Sequence, residues 1–256
     1  MKKILRYTAI VLAFGGSGAA LAQSEAAATW SGFSAGGVLG MTYSRANAVT
    51  TTGRLQYFDN FDAAQIGRTG NNDLTQSRLS GGLVLGYGQQ FNQLFIGVEA
   101  SASTLYFNRD HEKREIFDSP VAPAGTGMTI KQSVSADWLA GLRLRAGLTD
   151  HNRLIYLTGG LAATRIKMET TYVDDAWSGY SQGSRSKNKL GWSLGFGGEY
   201  NVGKSWALRG EYLYSRFGYT SVTTDVTSTN NSGGTLDHRA NLEVHSLYLG
   251  LTRRFQ

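Results

Sequence analysis

The stretch 189–218, KLGWSLGFGGEYNVGKSWALRGEYLYSRFG, decides the fold of this chain. Apolar residues recur at every second position on both sides of a short polar turn at 201–205. Such alternation is typical of β-strands, and a turn of that length joins two of them into a hairpin. The apolar face of the first strand begins and ends in aromatics, Trp192 and Tyr200, whereas the opposite face carries glycine and charge. A membrane β-barrel needs both faces, because one meets lipid and the other meets a crowded polar lumen.

The same alternation recurs along the rest of the chain. It predicts eight strands, at 30–44, 78–88, 94–106, 134–148, 154–167, 189–200, 206–218 and 244–255. Three connections are short turns, and four polar segments, at about 45–77, 108–132, 168–188 and 219–242, are predicted as long loops. This strict alternation of turns and loops favours an all-β fold, an eight-stranded antiparallel up-and-down transmembrane β-barrel with its turns and both termini in the periplasm.

The N-terminus is predicted to be an export signal. Lys2, Lys3 and Arg6 accompany an apolar run too short to cross a bilayer as a helix, and Ala20 and Ala22 form a small-residue cleavage site. The predicted organisation is therefore a signal peptide at 1–22, a short segment at 23–29, and a barrel at 30–256 that is exported to the cell outer membrane.

Composition argues against several other classes of protein. Without the three basic residues of the leader the formal charge falls from +6 to +3, and no basic stripe with interleaved aromatics remains, so no nucleic-acid partner is expected. The chain has no cysteine, which excludes disulfides and thiolate metal sites. No cluster of histidines or carboxylates has the spacing of metal ligands, so neither a metal nor a cofactor is predicted.

Aromatic residues fall at two heights on the predicted strands. Those at the turn ends are Trp30, Tyr87, Tyr200, Trp206 and Phe255, and those at the loop ends are Tyr43, Tyr106, Trp138, Trp192 and Tyr214. The two sets are separated by roughly nine to eleven residues of strand, which matches a tilted crossing of a bilayer. They are predicted to form two interfacial girdles in contact with outer-membrane lipids.

Charged residues occupy the predicted lumen face. They are Glu99, Asp137, Glu199 and Glu211 among the acids, and Arg143, Arg145, Arg209 and Arg254 among the bases. An eight-stranded barrel is just wide enough to be filled by side chains, and buried charges must be paired. These residues are expected to form an ion-pair network that closes the lumen, with inward glycines leaving room for the arginines.

Short motifs in a fixed order carry a family resemblance. They are Trp30-Ser31-Gly32-Phe33 with Gly36-Gly37, Gly97-Val98-Glu99, Gly159-Gly160-Leu161-Ala162, Gly191-Trp192 with Gly198-Glu199-Tyr200, Trp206 with Arg209-Gly210-Glu211-Tyr212, and Leu249-Gly250-Leu251 leading to Arg254-Phe255. Through them the chain resembles the small eight-stranded outer-membrane barrels of the opacity/porin-like family, of alphaproteobacterial type and related to the barrel of outer-membrane protein A. The resemblance implies that Phe255 is the signal read by the barrel-assembly machinery, with periplasmic chaperones as further partners.

The predicted function is a structural outer-membrane barrel that supports envelope integrity, contacts lipopolysaccharide and displays surface loops. Arg165 and Lys167, near the outer end of the fifth predicted strand, are candidates for contact with lipopolysaccharide phosphates, although the pattern favours long side chains that simply extend to the rim of the membrane. The alternatives are a surface adhesin or haem- or ligand-binding barrel with host-surface ligands, a narrow porin-like channel, a lipid A-modifying enzyme, and a soluble periplasmic lipocalin-like barrel. No catalytic residue is predicted, because His245 and Ser246 project to opposite faces, unlike a nucleophile and its base.

Overall fold

Eight antiparallel strands close into one barrel in the computed structural model, which describes residues 30–53, 57–203, 205–228 and 233–255. The elements are β1 Gly32–Thr52, α1 Asn60–Thr69, β2 Asn72–Phe91, β3 Leu94–Ile116, β4 Gly127–Thr149, β5 Arg153–Asp174, β6 Tyr180–Asn201, β7 Trp206–Val226 and β8 Gly234–Phe255. Each strand pairs with its sequence neighbours, and β1 pairs with β8 to complete the ring. The predicted signal peptide with Ala20 and Ala22, and the segment 23–29, lie outside the described residues.

The number and order of the strands are as predicted, but the boundaries of the four long loops are wrong. Strand extends into all four segments and makes up more than half of 108–132, 168–188 and 219–242, and the connections at that end are 53–71, 117–126, 175–179 and 227–233. The other end has the short turns 92–93, 150–152 and 202–205. We call these the loop end and the turn end. Strands of 20 to 23 residues are about twice as long as a bilayer crossing requires.

The strands were predicted too short because the polarity of their two faces reverses half-way along. On β8, the lower half, nearest the turn end, points Leu247, Leu249 and Leu251 outward, and polar residues such as Thr252 inward. The upper half of the same strand points Leu236, Ala240, Leu242 and Val244 inward, and charged residues such as Arg239 outward. Period-two alternation continues throughout, so the backbone remains a strand while its surroundings change.

The interior is filled by successive layers. From the turn end these are an apolar floor of Trp30, Phe95, Leu154, Tyr156 and Ala207, a charged layer, a small layer of Val38, Val84, Leu213 and Tyr248, and an apolar cluster that includes Leu105, Phe107, Ile166, Met168 and Leu242. A polar layer around His238 follows, and the last layer is apolar, with Phe58, Ile66, Met128, Ile130, Tyr172, Val226 and Leu236. The order of inward residues along β5 and β8 gives this sequence of layers.

Helix α1 lies in the connection between β1 and β2, where a loop was predicted. Asp59 is its N-cap and accepts a hydrogen bond from the backbone N–H of Asp62 at 2.8 Å, and the Asp62 side chain accepts in return from the backbone of Asp59, which completes a capping box. Ile66 is fully buried in the topmost apolar layer. Gln65 ties the helix to the end of β3, because its side chain donates to the carbonyl of Ile116 at 2.6 Å. The helix therefore covers part of the loop end.

Two ladders are interrupted in the upper half. The β2–β3 ladder stops at Gly82 and Ser103, and the β6–β7 ladder stops at Gly191 and Phe217. Above this point, the described residues show a backbone bridge between Tyr180 of β6 and Thr227, and the Ser181 hydroxyl donates to the hydroxyl of Thr224 on β7 at 2.6 Å. The upper wall is consequently less regular than the lower wall, whose eight ladders are all paired.

Candidate functional site: the closed lumen and the lipid-facing wall

Glu99 on β3 is the centre of the charged layer. Its carboxylate accepts hydrogen bonds from Arg143 at 2.7 Å, from Arg145 at 3.3 Å and from both terminal nitrogens of Arg209, one of them at 2.8 Å. The Glu99 side chain is only 1% exposed. One buried carboxylate thus offsets part of the positive charge of three guanidinium groups. Two of these groups come from β4 and the third comes from β7.

Two further glutamates complete the balance of charge. Arg145 also pairs with Glu199, and Arg209 also pairs with Glu211. The hydroxyl of Tyr156 donates to Glu211 at 2.8 Å, and the guanidinium of Arg145 lies 3.9 Å from the centre of the Tyr156 ring. Three arginines therefore face three glutamates, and all six side chains are at most 6% exposed, so the arrangement depends on the pairing of their charges.

Two inward glycines make this layer possible. A Cβ atom on Gly141 would lie 2.8 Å from the guanidinium of Arg143, and one on Gly197 would lie 2.6 Å from the Tyr156 hydroxyl. Both distances are shorter than van der Waals contact. The small residues therefore hold open the volume that the long side chains occupy.

Two of the eight predicted network residues lie elsewhere. Asp137 is exposed on the outer wall, because the register of β4 shifts between Ser135 and Leu139 and turns two successive residues outward. The prediction of Asp137 as a lumen residue is wrong, since it assumed unbroken alternation. Arg254 does point inward and is buried, but it hydrogen-bonds the side-chain oxygen of Asn201 and makes no ion pair with a described residue.

The outward face of the lower half is apolar and bordered by aromatics. Leucines dominate it, and Leu39, Leu79, Leu190 and Leu249 each expose more than 70% of their surface. Nine of the ten predicted girdle aromatics lie on the outward face: Tyr43, Tyr87, Tyr106, Trp138, Trp192, Tyr200, Trp206, Tyr214 and Phe255. So much exposed apolar surface on one continuous band is the mark of a wall that faces lipid.

Similarity to known proteins agrees with the assignment of this wall to a membrane. The family model described as an outer membrane protein beta-barrel domain matches residues 9–255. The chain belongs to that outer-membrane barrel family. The 31 kDa outer-membrane immunogenic protein of Brucella melitensis is 31% identical over 204 residues, which are 77% of this chain and 74% of that protein. The 25 kDa outer-membrane immunogenic protein of the same species is 25% identical over 63% of this chain and 62% of that protein.

Among solved structures, the outer membrane protease OmpT of Escherichia coli aligns over 88% of this chain and 97% of its own, with a TM-score of 0.46 and 10% identity. By its family and its closed ring of eight antiparallel strands, the protein is an all-β barrel of the outer membrane, and the apolar outward wall identifies the lower half as the membrane-spanning half. In barrels of this kind the short turns are periplasmic, so the turn end faces the periplasm and the upper half projects outside.

Trp30 lies inside the lumen at its periplasmic end and is not a girdle residue. It is 3% exposed and packs in the apolar floor, with the guanidinium of Arg254 at 4.1 Å from its ring. Its backbone N–H donates to the Gln90 side chain at 2.9 Å. The prediction of Trp30 as an interfacial aromatic is wrong because the residue precedes β1, where strand alternation does not apply. The Arg254 guanidinium is therefore held by the Trp30 ring and by the side-chain amide of Asn201.

His238 lies at the centre of a polar layer in the projecting half, where a loop had been predicted. Its Nδ1 lies 2.8 Å from the Thr50 hydroxyl and 3.2 Å from that of Thr170, and its Nε2 lies 3.2 Å from that of Thr224. Burial lowers the pKa of His238 from 6.5 to about 4, so the imidazole is neutral at physiological pH. The amide of Gln132 extends the layer by donating to Thr50 at 2.9 Å.

The other histidines do not come together. His245, on the outer wall, lies 2.7 Å from the Tyr212 hydroxyl and against the ring of Tyr214, His151 is in a periplasmic turn, and His111 is on β3 in the projecting half. Within the described part of the chain no three histidines or carboxylates are arranged as metal ligands, and no helix has the length and hydropathy of a membrane span.

Proposed function

We propose that this protein is a structural barrel that seals its own lumen and thereby supports the integrity of the outer membrane. The observation that supports the proposal is the layered interior of the described residues, in which the buried Glu99 network and the buried apolar cluster around Phe107 occupy successive levels of the lumen. A porin lumen needs a water-filled channel, whereas an eight-stranded barrel of this kind is filled by side chains. The protein would contribute mechanical and barrier properties, without transporting solutes.

Single-channel recording tests this proposal. Purified barrel inserted in a planar bilayer should give no stepwise conductance in 1 M KCl, because the charged layer blocks the lumen. Arg143 and Glu211 also form an ion pair, at 3.3 Å, and the double substitution Arg143→Ser with Glu211→Ser, which removes it, should create a measurable conductance without changing the net charge. The control is Arg45→Ser with Asp73→Ser, which removes an exposed pair on the outer wall. Steady conductance of the unmodified protein would contradict the sealed-barrel proposal.

Basic residues on the outer rim of the barrel favour lipopolysaccharide as a lipid partner. Arg165 and Lys167 on β5 lie beside 185–189 of β6, which adds Arg185, Lys187 and Lys189. Arg185 and Lys187 are exposed where the β6–β7 ladder is interrupted, and neither has an ion-pair partner among the described residues. The cluster lies above the outward Leu161 and Leu190 of the membrane-spanning half, where it would face the anionic headgroups at the membrane surface.

Refolding into vesicles tests the lipopolysaccharide contact. Adding lipopolysaccharide to phosphatidylcholine vesicles should raise the thermal midpoint of the unmodified protein more than that of the triple variant Arg165→Gln, Arg185→Gln, Lys187→Gln. Arg239→Gln, an exposed arginine on β8 outside the cluster, is the matched control. An equal rise for all three proteins would show that the cluster does not bind the lipid.

Surface presentation is the second part of the proposed role. The relatives are named outer-membrane immunogenic proteins, which supports a surface recognised by antibodies. In this chain the presented surface would be the polar wall of the upper half and α1, and not long mobile loops. Antibodies raised against the folded barrel should stain intact cells, and Arg68→Ala with Asp118→Ala, a pair at the exposed end of α1, should reduce binding.

We infer further that the protein is not an enzyme. The support is the separation of its histidines and the use of every lumen glutamate in pairing with arginine. Lipid A mass profiles from cells with and without the gene should be identical. A change in acylation or phosphorylation would overturn this inference and favour the lipid A-modifying alternative.

A further inference from the structure

A groove crosses the lipid-facing wall near its periplasmic edge. It has a volume of about 540 Å³ and follows the seam of β8, β1 and β2. Its floor is formed by Ala35 and Gly37 of β1, the two smallest outward residues of that strand. Gly37 pairs with Leu83 on one side and with Leu251 on the other, so leucine side chains form both walls. The groove exists because small residues lie between two rows of large ones.

The floor is open to solvent or lipid. A Cβ atom on Gly37 would meet only the carbonyl oxygen of Gly82, at 4.0 Å. No backbone strain or close approach therefore requires glycine at this position. Glycine here leaves space on the outer surface, which distinguishes it from the lumen glycine at 141, whose space is taken by Arg143.

A charged residue marks the periplasmic end of the groove. Arg253 of β8 is exposed on the outer wall, with Ala35 and Trp206 as its cross-strand neighbours. Its guanidinium lies 5.4 Å from the Phe255 ring and 5.8 Å from the Trp206 ring, both in the inner aromatic girdle. It has no carboxylate partner in the described chain. An arginine on a lipid-facing wall is tolerated near the interface, where phosphates are available to pair with it.

We propose that this groove binds one phospholipid of the inner leaflet, with its phosphate on Arg253 and one acyl chain over Gly37. An anionic or zwitterionic phosphate satisfies the guanidinium through paired hydrogen bonds, and the leucine walls match an acyl chain. A second copy of the barrel fits less well. Outside the lumen, the one described carboxylate at the periplasmic end is Asp150, which already accepts backbone hydrogen bonds within its own turn.

This site rests on the outer-membrane location of the barrel and is independent of whether the lumen is sealed. A failure to bind phospholipid would leave the proposed function intact, and conductance through the lumen would leave the lipid site intact. The two proposals can therefore be judged separately.

Native mass spectrometry of the full barrel in detergent, titrated with phosphatidylglycerol, tests the site. The unmodified protein should bind one phospholipid tightly, and Arg253→Gln and Gly37→Leu should each weaken that first binding step about tenfold or more, the first by removing the phosphate contact and the second by filling the groove. Diacylglycerol, which lacks phosphate, should bind the unmodified protein and Arg253→Gln equally.

Matched controls separate a specific site from general effects. Gly210→Leu places the same side chain on another part of the lipid-facing wall, where a Cβ atom meets only Leu249 at 3.7 Å, and Arg239→Gln removes an arginine from the projecting half of β8. Both should bind phospholipid as the unmodified protein does. The heat-dependent shift in gel mobility shows that each variant is folded before it is compared.

Three outcomes would overturn the proposal. The first is no tight phospholipid binding by the folded unmodified protein. The second is equal weakening by the control variants. The third is a concentration-dependent dimer that Arg253→Gln or Gly37→Leu disrupts, which would assign the groove to a second copy of the chain.

Discussion

The two halves of the barrel use the same eight strands to solve opposite problems. In the membrane-spanning half the solvent is lipid, so apolar residues point outward and the polar interior must satisfy its charges internally, as Glu99 does with three arginines. In the projecting half the solvent is water, so residues such as Leu242 and Phe107 form an apolar core like that of a soluble protein. The two-residue period of a strand does not show whether its outer face meets lipid or water. The polarity of the residues on each face does.

The largest expected effect comes from breaking the charged layer. Glu99→Gln should lower the free energy of unfolding by about 3–5 kcal/mol, because it leaves three buried arginines with two carboxylates. Urea unfolding in lipid vesicles, followed by gel mobility without boiling, measures the loss. A loss below about 1 kcal/mol would mean that water reaches the network and that the lower interior resembles an exposed surface.

Two substitutions on the outward face of β8 test directly whether the surroundings of that face change from lipid to water along the strand. Leu249→Arg, on the outward face of β8 within the bilayer, should cost about 2–4 kcal/mol. Arg239→Leu, on the same face ten residues nearer the loop end, should change stability by less than about 0.5 kcal/mol. The same urea assay measures both variants. Similar costs for the two substitutions would place both positions in one environment and remove the distinction between the halves.

Acid should weaken the projecting half selectively. The pKa of His238 is about 4 in the folded protein and 6.5 when unfolded, so the unfolded chain binds more protons between these values and stability falls as the pH is lowered from 6.5 to 4. The full shift corresponds to a loss of about 3 kcal/mol.

Urea midpoints at pH 7.5 and pH 4.5 measure this pH dependence. His238→Gln should flatten it, whereas His151→Gln, in an exposed periplasmic turn, should not. A pH dependence that persists unchanged in His238→Gln would assign it to other groups.

The smallest effect is expected on the outer wall of the projecting half. Arg45 and Asp73 form an ion pair at 2.6 Å, with both side chains about half exposed. Asp73→Asn should cost less than about 1 kcal/mol, and the cost should shrink further in 1 M salt. A cost comparable to that of Glu99→Gln would mean that exposure does not separate surface pairs from lumen pairs in this barrel.

Period-two alternation was sufficient to predict the strand count, the up-and-down order and six of the eight network residues. It failed where a local irregularity interrupts the period: a bulge turned Asp137 outward, and Trp30 precedes the first strand. The upper strands were missed because their polar residues were interpreted as loop, although the sequence already shows period-two alternation there, with apolar residues at 236, 240, 242 and 244.

Helix α1 and the polar layer illustrate two further limits. The capping pair Asp59 and Asp62 is a local signal that could have predicted the start of the helix. The contacts of His238 with threonines of β1, β5 and β7 join residues up to 188 positions apart, and no local pattern in the sequence contains them. Short-range chemistry is recoverable from a sequence, whereas the pairing of distant side chains requires the barrel.

Cysteine scanning along the outward face of β8 tests the two-environment account most directly. The chain has no cysteine, so each single substitution gives one reporter. In intact proteoliposomes, a membrane-impermeant maleimide should label cysteines at 239 and 243 rapidly, and should fail to label those at 247, 249 and 251. Equal labelling at all five positions would contradict the account, because the whole outward face of β8 would then lie in water.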